Sequence, residues 1–186
     1  IDFDALIANE TDSTLKDMHE YFRDRTPTEK NQYTGMFQGK NLLLFTGEAF
    51  WIGAVNEQYT PTLYKLAHSG FVFENFYNPL WYYSTVDGEY AATTGLIPTN
   101  QVNASQRYAG KNGVSMYFSM GNQLRALGYP TLAYHNNTAN YYDRNLSHPN
   151  LGYDFYACDT GLDVAMTWPQ SDLEMMQLTR RQALCG

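Results

Sequence analysis

Short apolar runs alternate with helical patterns through the middle of the chain, and this alternation constrains the fold most strongly. Residues 41–45 form a continuous apolar run, which is typical of a strand buried on both faces of a parallel sheet. The patterns predict further strands at 71–76 and 131–135. They predict helices from Thr60-Pro61 to Gly70, over 86–95 and over 116–127, and a loop over 99–114. The sequence therefore predicts an α/β fold, with a mostly parallel sheet flanked by helices.

A polar, charge-mixed segment precedes the first predicted strand. Asp12 is placed to cap a helix whose apolar stripe is Leu15, Met18 and Phe22, and Pro27 lies beyond its end. We therefore expect residues 1–38 to form a helical lead-in and linker, and residues 39–186 to form the main domain.

The charge balance excludes one class of partner. The 186 residues include 12 Lys and Arg against 19 Asp and Glu, for a net charge of −7. Nucleic-acid binding depends on Lys and Arg contacts to phosphate, so we expect no nucleic-acid partner. Adhesion to anionic lipid is disfavoured for the same reason. An anionic substrate remains compatible with this charge if a metal ion supplies positive charge locally.

Two polar groups stand where an α/β sheet usually binds its ligands, beyond the carboxyl ends of strands. Glu48 follows the strand predicted at 41–45 and is a candidate ligand for a hard divalent cation. Thr85 stands at the start of a predicted helix, where the helix dipole and free N–H groups favour an alkoxide and an incoming phosphate. The alternatives are a solvated or capping Glu48 and an N-cap at Ser84 or Thr85.

A third candidate group follows the strand predicted at 131–135. His135 ends that strand, and Tyr142 and Arg144 come close behind. Arg144 has the planar fork that binds phosphate, and Tyr142 can stack on or hydrogen-bond a polyol. The alternative is a histidine satisfied within the fold and a surface Arg–Asp turn.

Taken in order, these segments resemble a known family. The matching segments are 40–48, 59–67, 70–77, 84–90, 95–98, 127–129, 134–137, 142–145 and 151–154. They resemble the start of a sulfatase-type domain of the alkaline phosphatase superfamily. They are most similar to its lipoteichoic acid synthase branch, whose members are bacterial phosphoglycerol transferases. The resemblance covers about residues 39–160 and implies an alkaline phosphatase-like α/β fold.

The resemblance also implies roles for the candidate residues. Thr85 matches the nucleophile of a Thr-x-Asp-x-Glu segment, and Glu48 matches a metal ligand, so both are predicted to hold a divalent ion (Mn²⁺, Mg²⁺ or Zn²⁺). Tyr142 and Arg144, after the strand that ends at His135, match residues that bind glycerophosphate. Tyr142 stands where the family often has Trp, so the resemblance does not identify the exact head group of the substrate.

The implied reaction is metal-dependent transfer of a glycerophosphate group through a covalent phospho-Thr intermediate. The donor would be a phosphatidylglycerol-like lipid head group, and the acceptor a polyol or glycan. The parent protein would be anchored in a bacterial membrane, with this domain on the outer face. The Cys/Ser-x-Pro-x-Arg signature of formylglycine sulfatases is absent after Thr85, which disfavours sulfate-ester hydrolysis. A phosphatase or sulfatase-like hydrolase and a non-catalytic glycerophosphate-binding fragment remain the alternatives.

The family completes its metal site with an Asp-His pair and a further His downstream of the region present here. We therefore expect the domain to be incomplete at its C-terminus, with the isolated chain inactive in transfer. Residues 180–186 do not resemble the family's continuation. Because uncovered strands expose apolar surface, we also expect self-association.

Overall fold

The structure is a computed structural model that describes residues 2–47, 50–77, 84–98 and 105–184. The chain divides into two compact units, Ile1–Asn41 and Leu42–Gly186. No helix within the described ranges is long and apolar enough to cross a bilayer.

The first unit is a pair of short helices, α1 at Phe3–Asn9 and α2 at Ser13–Arg23. The predicted cap of α2 is confirmed, because the Asp12 carboxylate accepts a hydrogen bond from the backbone N–H of Leu15 at 3.0 Å. The helix α1 was not predicted from the sequence. A local signal was present, since Asp2 caps α1 in the same way as Asp12 caps α2.

The second unit combines six helices with one parallel pair of strands among its described residues. The elements are α3 (Pro61–Ala67), α4 (Ser84–Thr94), α5 (Ser105–Asn112), α6 (Met120–Ala126), β1 (Leu132–His135), α7 (Arg144–Asn150), β2 (Asp154–Ala157) and α8 (Asp172–Leu184), with 3₁₀ turns at Ile52–Ala54 and Tyr141–Asp143. β1 and β2 pair in parallel, with Leu132 opposite Asp154 and His135 opposite Ala157. Helices around a parallel pair confirm the predicted α/β class.

The strands predicted at 41–45 and 71–76 are wrong, since both segments are irregular. Their side chains are exposed, with 65% of Phe45 and 75% of Phe73 accessible to solvent. A parallel strand needs a neighbouring strand to bond its backbone, and β1–β2 is the one ladder among the described residues. The apolar runs therefore have no sheet to join there.

The loop predicted over 99–114 is also corrected, because its second half forms α5. Gly110 lies inside α5, where a Cβ atom would stand 2.8 Å from the backbone carbonyl of Leu146 in α7. α5 and α7 therefore pack backbone against backbone, which glycine alone permits. Beside this contact, the buried side chains of Tyr90, Ala109, Met116 and Leu151 form the main apolar cluster.

Candidate functional site

A buried ion pair joins α7 to α4. Arg144, the first residue of α7, is 2% exposed, and its partner Glu89 in α4 has a side chain 15% exposed. The Nε–H of Arg144 donates to Glu89 Oε1 at 3.0 Å, and Nη2 donates to the same oxygen. Nη1 donates to the backbone carbonyl of Tyr141 at 3.3 Å. The guanidinium plane is thus fixed from two sides.

This ion pair joins Arg144 to a residue that lies one helical turn after Thr85 in α4. Thr85 is half-buried in the first turn of α4, and Glu89 lies four residues later. Residues four apart on a helix are neighbours on one face, with Cβ atoms about 5–6 Å apart. Two residues predicted separately from the sequence, Thr85 and Arg144, therefore share Glu89 as a neighbour.

Gln106 of α5 holds the other oxygen of the Glu89 carboxylate. Gln106 is fully buried, and its Nε2 donates to Glu89 Oε2 at 3.1 Å. Its Oε1 has no hydrogen-bond partner among the described residues. One carboxylate thus connects α4, α5 and α7.

The backbone before Arg144 is strained and is held by a second set of ion pairs. Tyr142 and Asp143 have φ angles of 58° and 57°, in the left-handed region that non-glycine residues seldom adopt. Asp143 accepts from Arg107 Nε at 2.8 Å, and Lys111 Nζ lies 3.0 Å from it. Hydrogen bonds from Arg107 and Lys111 lower the pKa of the Asp143 carboxyl. α5 therefore fixes this turn through Asp143.

Aromatic rings surround Arg144 and connect it to the end of β1. The guanidinium carbon lies 5.3 Å from the ring centroid of Tyr142 and 5.7 Å from that of Tyr141. The Tyr141 ring in turn stacks near His135, with centroids 6.3 Å apart. His135 Nδ1 accepts from the backbone N–H of Asn137 at 2.9 Å, so a neutral ring carries its proton on Nε2. The predicted substrate-binding residues His135, Tyr142 and Arg144 are thus brought together.

A second histidine lies behind this group. His148 is in the last turn of α7, and its ring packs against Phe155 with centroids 4.7 Å apart. Burial, and then the charges of Arg144 and His135, lower the pKa of His148 to about 3. His148 is therefore a neutral packing residue at physiological pH.

The predicted metal pair of Glu48 and Thr85 has only one described member, since Glu48 lies outside the described residues. Within the ranges that the structure describes, no group of three or more His, Cys, Asp or Glu side chains could hold a metal ion. A single Thr hydroxyl does not make a metal site, so the metal role of both residues stays a prediction.

Comparison with known proteins identifies a family model and a relative that this chain resembles. Residues 40–180 match the protein-family model described as Sulfatase. The chain is 26% identical over 153 residues to lipoteichoic acid synthase 2 of Bacillus subtilis (strain 168), covering 76% of this chain and 22% of that protein. It therefore spans about a fifth of the length of the relative it matches. No solved structure matches.

The family match confirms the resemblance drawn from the sequence. Helices around a parallel pair of strands also agree with the expected alkaline phosphatase-like α/β fold. Enzymes of the sulfatase family generally use a divalent metal ion.

Proposed function

Because the chain belongs to the sulfatase family, we propose that it is part of the catalytic domain of a phosphoglycerol transferase. The substrates would be a phosphatidylglycerol-like lipid head group and a polyol or glycan acceptor, at the outer face of a bacterial membrane. The name of the matched relative, lipoteichoic acid synthase 2, supports this substrate class. The observation that supports the proposal is the ion pair between Arg144 and Glu89, because Glu89 lies one helical turn after Thr85 in α4.

The hydrogen bonds of Arg144 suit it to an anionic ligand. A guanidinium has five N–H donors in a rigid fork. Three contacts of Arg144 are directed to Glu89 and the Tyr141 carbonyl, which leaves two donors without a described partner. One is on Nη1 and the other on Nη2, and these two nitrogens form the Nη edge of the guanidinium. Donors on both Nη nitrogens suit an anion with two phosphoryl oxygens.

In the proposed reaction, the Thr85 hydroxyl attacks the phosphorus of the donor lipid. An O–P bond forms on Thr85, the P–O bond to diacylglycerol breaks, and the departing alcohol takes up the proton that the Thr85 hydroxyl loses. An acceptor hydroxyl then attacks the same phosphorus, the O–P bond to Thr85 breaks, and the proton of the acceptor hydroxyl returns to Thr85. Thr85 lies in the first turn of α4, where the helix dipole favours negative charge on its oxygen.

Arg144 would hold the glycerophosphate through its Nη edge, and Tyr142 would cover the glycerol. Glu48 and Thr85 are the residues that would hold a divalent ion. Such an ion, when bound, lowers the pKa of the hydroxyl and offsets charge on the phosphoryl oxygens.

The test uses the complete product of the gene that contains this sequence. The protein is incubated with phosphatidylglycerol, a divalent salt and a glycol acceptor, and both diacylglycerol and the acceptor product are measured. Thr85→Ala should abolish both. The matched control is Thr94→Ala in the same helix, where the hydroxyl donates to the Tyr90 carbonyl and has no proposed role. Undiminished transfer by Thr85→Ala would refute the proposal, and head-group release to water alone would identify a hydrolase.

A further inference from the structure

Glu89 is the one carboxylate that contacts Arg144 among the described residues. A buried guanidinium is strongly disfavoured unless its charge is paired and hydrogen-bonded. The Arg144 side chain is only 2% exposed, so the position of its guanidinium is determined by Glu89 and not by contact with solvent. Both donors facing Glu89, Nε–H and one of the Nη2 hydrogens, meet the same oxygen, which fixes the orientation of the remaining Nη edge.

Glu89 is itself held by a side chain from another helix. Its second oxygen accepts from Gln106 Nε2 at 3.1 Å, and Gln106 is fully buried. A carboxylate with one oxygen on α7 and the other on α5 has little freedom to rotate. Glu89 therefore holds Arg144 in a fixed position relative to α4, and Glu89 lies four residues after Thr85 in that helix.

We propose that Glu89 is a positioning residue, which sets the Nη edge of Arg144 relative to the Thr85 hydroxyl, and that Gln106 fixes Glu89 in this role. This inference rests on the proposed function. Glu89 neutralises the guanidinium as well as orienting it, so its loss leaves Arg144 able to attract an anion but no longer aligned with Thr85. The expected defect is therefore in turnover more than in binding.

The first experiment compares Glu89→Gln with Asp154→Asn in the complete gene product. Asp154 is a matched control because it also pairs with an arginine, Arg125 at 2.7 Å, but both side chains are about half exposed. It also lies opposite Leu132, at the end of the strand pair away from His135. Glu89→Gln should lower kcat by about 10²-fold, the cost of a displacement on the order of 1 Å. Its KM for phosphatidylglycerol should change by less than about threefold, and Asp154→Asn should match the wild type.

A second variant keeps the test decisive if Glu89→Gln does not fold by circular dichroism. Gln106→Met removes the donor to Glu89 but leaves the ion pair in place, and should lower kcat by about tenfold with KM unchanged. Wild-type kcat in whichever of these variants folds would overturn the inference. An equal rise in KM with kcat preserved would also overturn it, because it would show that Glu89 serves binding alone.

Failure of the proposed function gives a different result. In that case the wild type transfers no glycerophosphate and shows no heat of binding with sn-glycerol 1-phosphate in calorimetry. That result would overturn the positioning role of Glu89 as well. A wild type that binds and transfers, beside a Glu89→Gln variant of equal kcat, would overturn the positioning role alone.

Discussion

The close packing of α5 on α7 gives a quantitative test of the fold that supports the site. A Cβ atom at Gly110 would lie 2.8 Å from the carbonyl carbon and oxygen of Leu146 and 2.9 Å from the amide nitrogen of Ser147. All three are backbone atoms, so no side-chain rotation relieves the overlap and the two helices must separate. Such overpacking costs about 3 kcal/mol, at the upper end of the usual range.

A glycine in α4 supplies the matched control. Gly88 also lies inside a helix, but apart from its neighbours and the backbone of its own helix, no described atom lies within 4 Å of the position that a Cβ atom would take there. Replacing a helical glycine with alanine stabilises the helix by about 1 kcal/mol at both sites. Gly110→Ala should therefore destabilise the chain by about 2 kcal/mol and Gly88→Ala should stabilise it by about 1 kcal/mol.

The difference between the two variants, about 3 kcal/mol, isolates the backbone overlap, because the chemical change and the helical context are the same. Urea unfolding followed by far-ultraviolet circular dichroism measures both free energies. If Gly110→Ala were as stabilising as Gly88→Ala, α5 and α7 would not be in backbone contact and the described packing would be wrong.

Four further outcomes are expected. Asp12→Ala removes the N-cap of α2, which costs about 1 kcal/mol and should speed hydrogen exchange of the α2 amides. Asp143 has a pKa lowered chiefly by the hydrogen bond from Arg107, so its contribution is complete above the unfolded pKa, about 4, and is lost as pH falls through the lower folded value. The stability gap between wild type and Asp143→Asn should shrink in acid, and a constant gap would contradict this. His148, with a pKa lowered to about 3, folds neutral, so stability should fall as pH drops from about 6.5 towards 3, and His148→Gln should flatten that slope. The exposed apolar segment 42–45 should make sedimentation of the chain concentration-dependent, and a monomer at all concentrations would argue against self-association.

Helices with local signals were predictable from the sequence. The Asp12 cap marked the start of α2, and Pro61 marked the first residue of α3. In both cases the signal lies within four residues of the helix end, so it needs no information about distant parts of the chain.

Strands and buried packing were less predictable because they depend on distant partners. The apolar run 41–45 has the composition of a buried strand, but no neighbouring strand bonds to it among the described residues. α5 contains Gly110 and lies in a segment, residues 99–114, with three Asn and two Gly, which indicates a loop by local rules. Its close contact with Leu146 supplies the reason for that glycine, and this contact appears only in three dimensions.

The candidate site shows the same division. The order of segments grouped His135, Tyr142 and Arg144, and the structure brings these three residues together. The pairing of Glu89 with Arg144 spans 55 residues of sequence, so no spacing rule could reveal it. One hint existed, since Glu89 lies four residues after Thr85 and therefore on the same helix face.

The most direct test of the central claim is to trap the covalent intermediate. The complete gene product is incubated with phosphatidylglycerol without acceptor, quenched in acid and digested, and its peptides are analysed by mass spectrometry. The proposed mechanism predicts a glycerophosphoryl group on Thr85, which disappears when a glycol acceptor is added before the quench. Transfer to the acceptor without any modified Thr85, or with the group on another residue, would contradict the role assigned to Thr85.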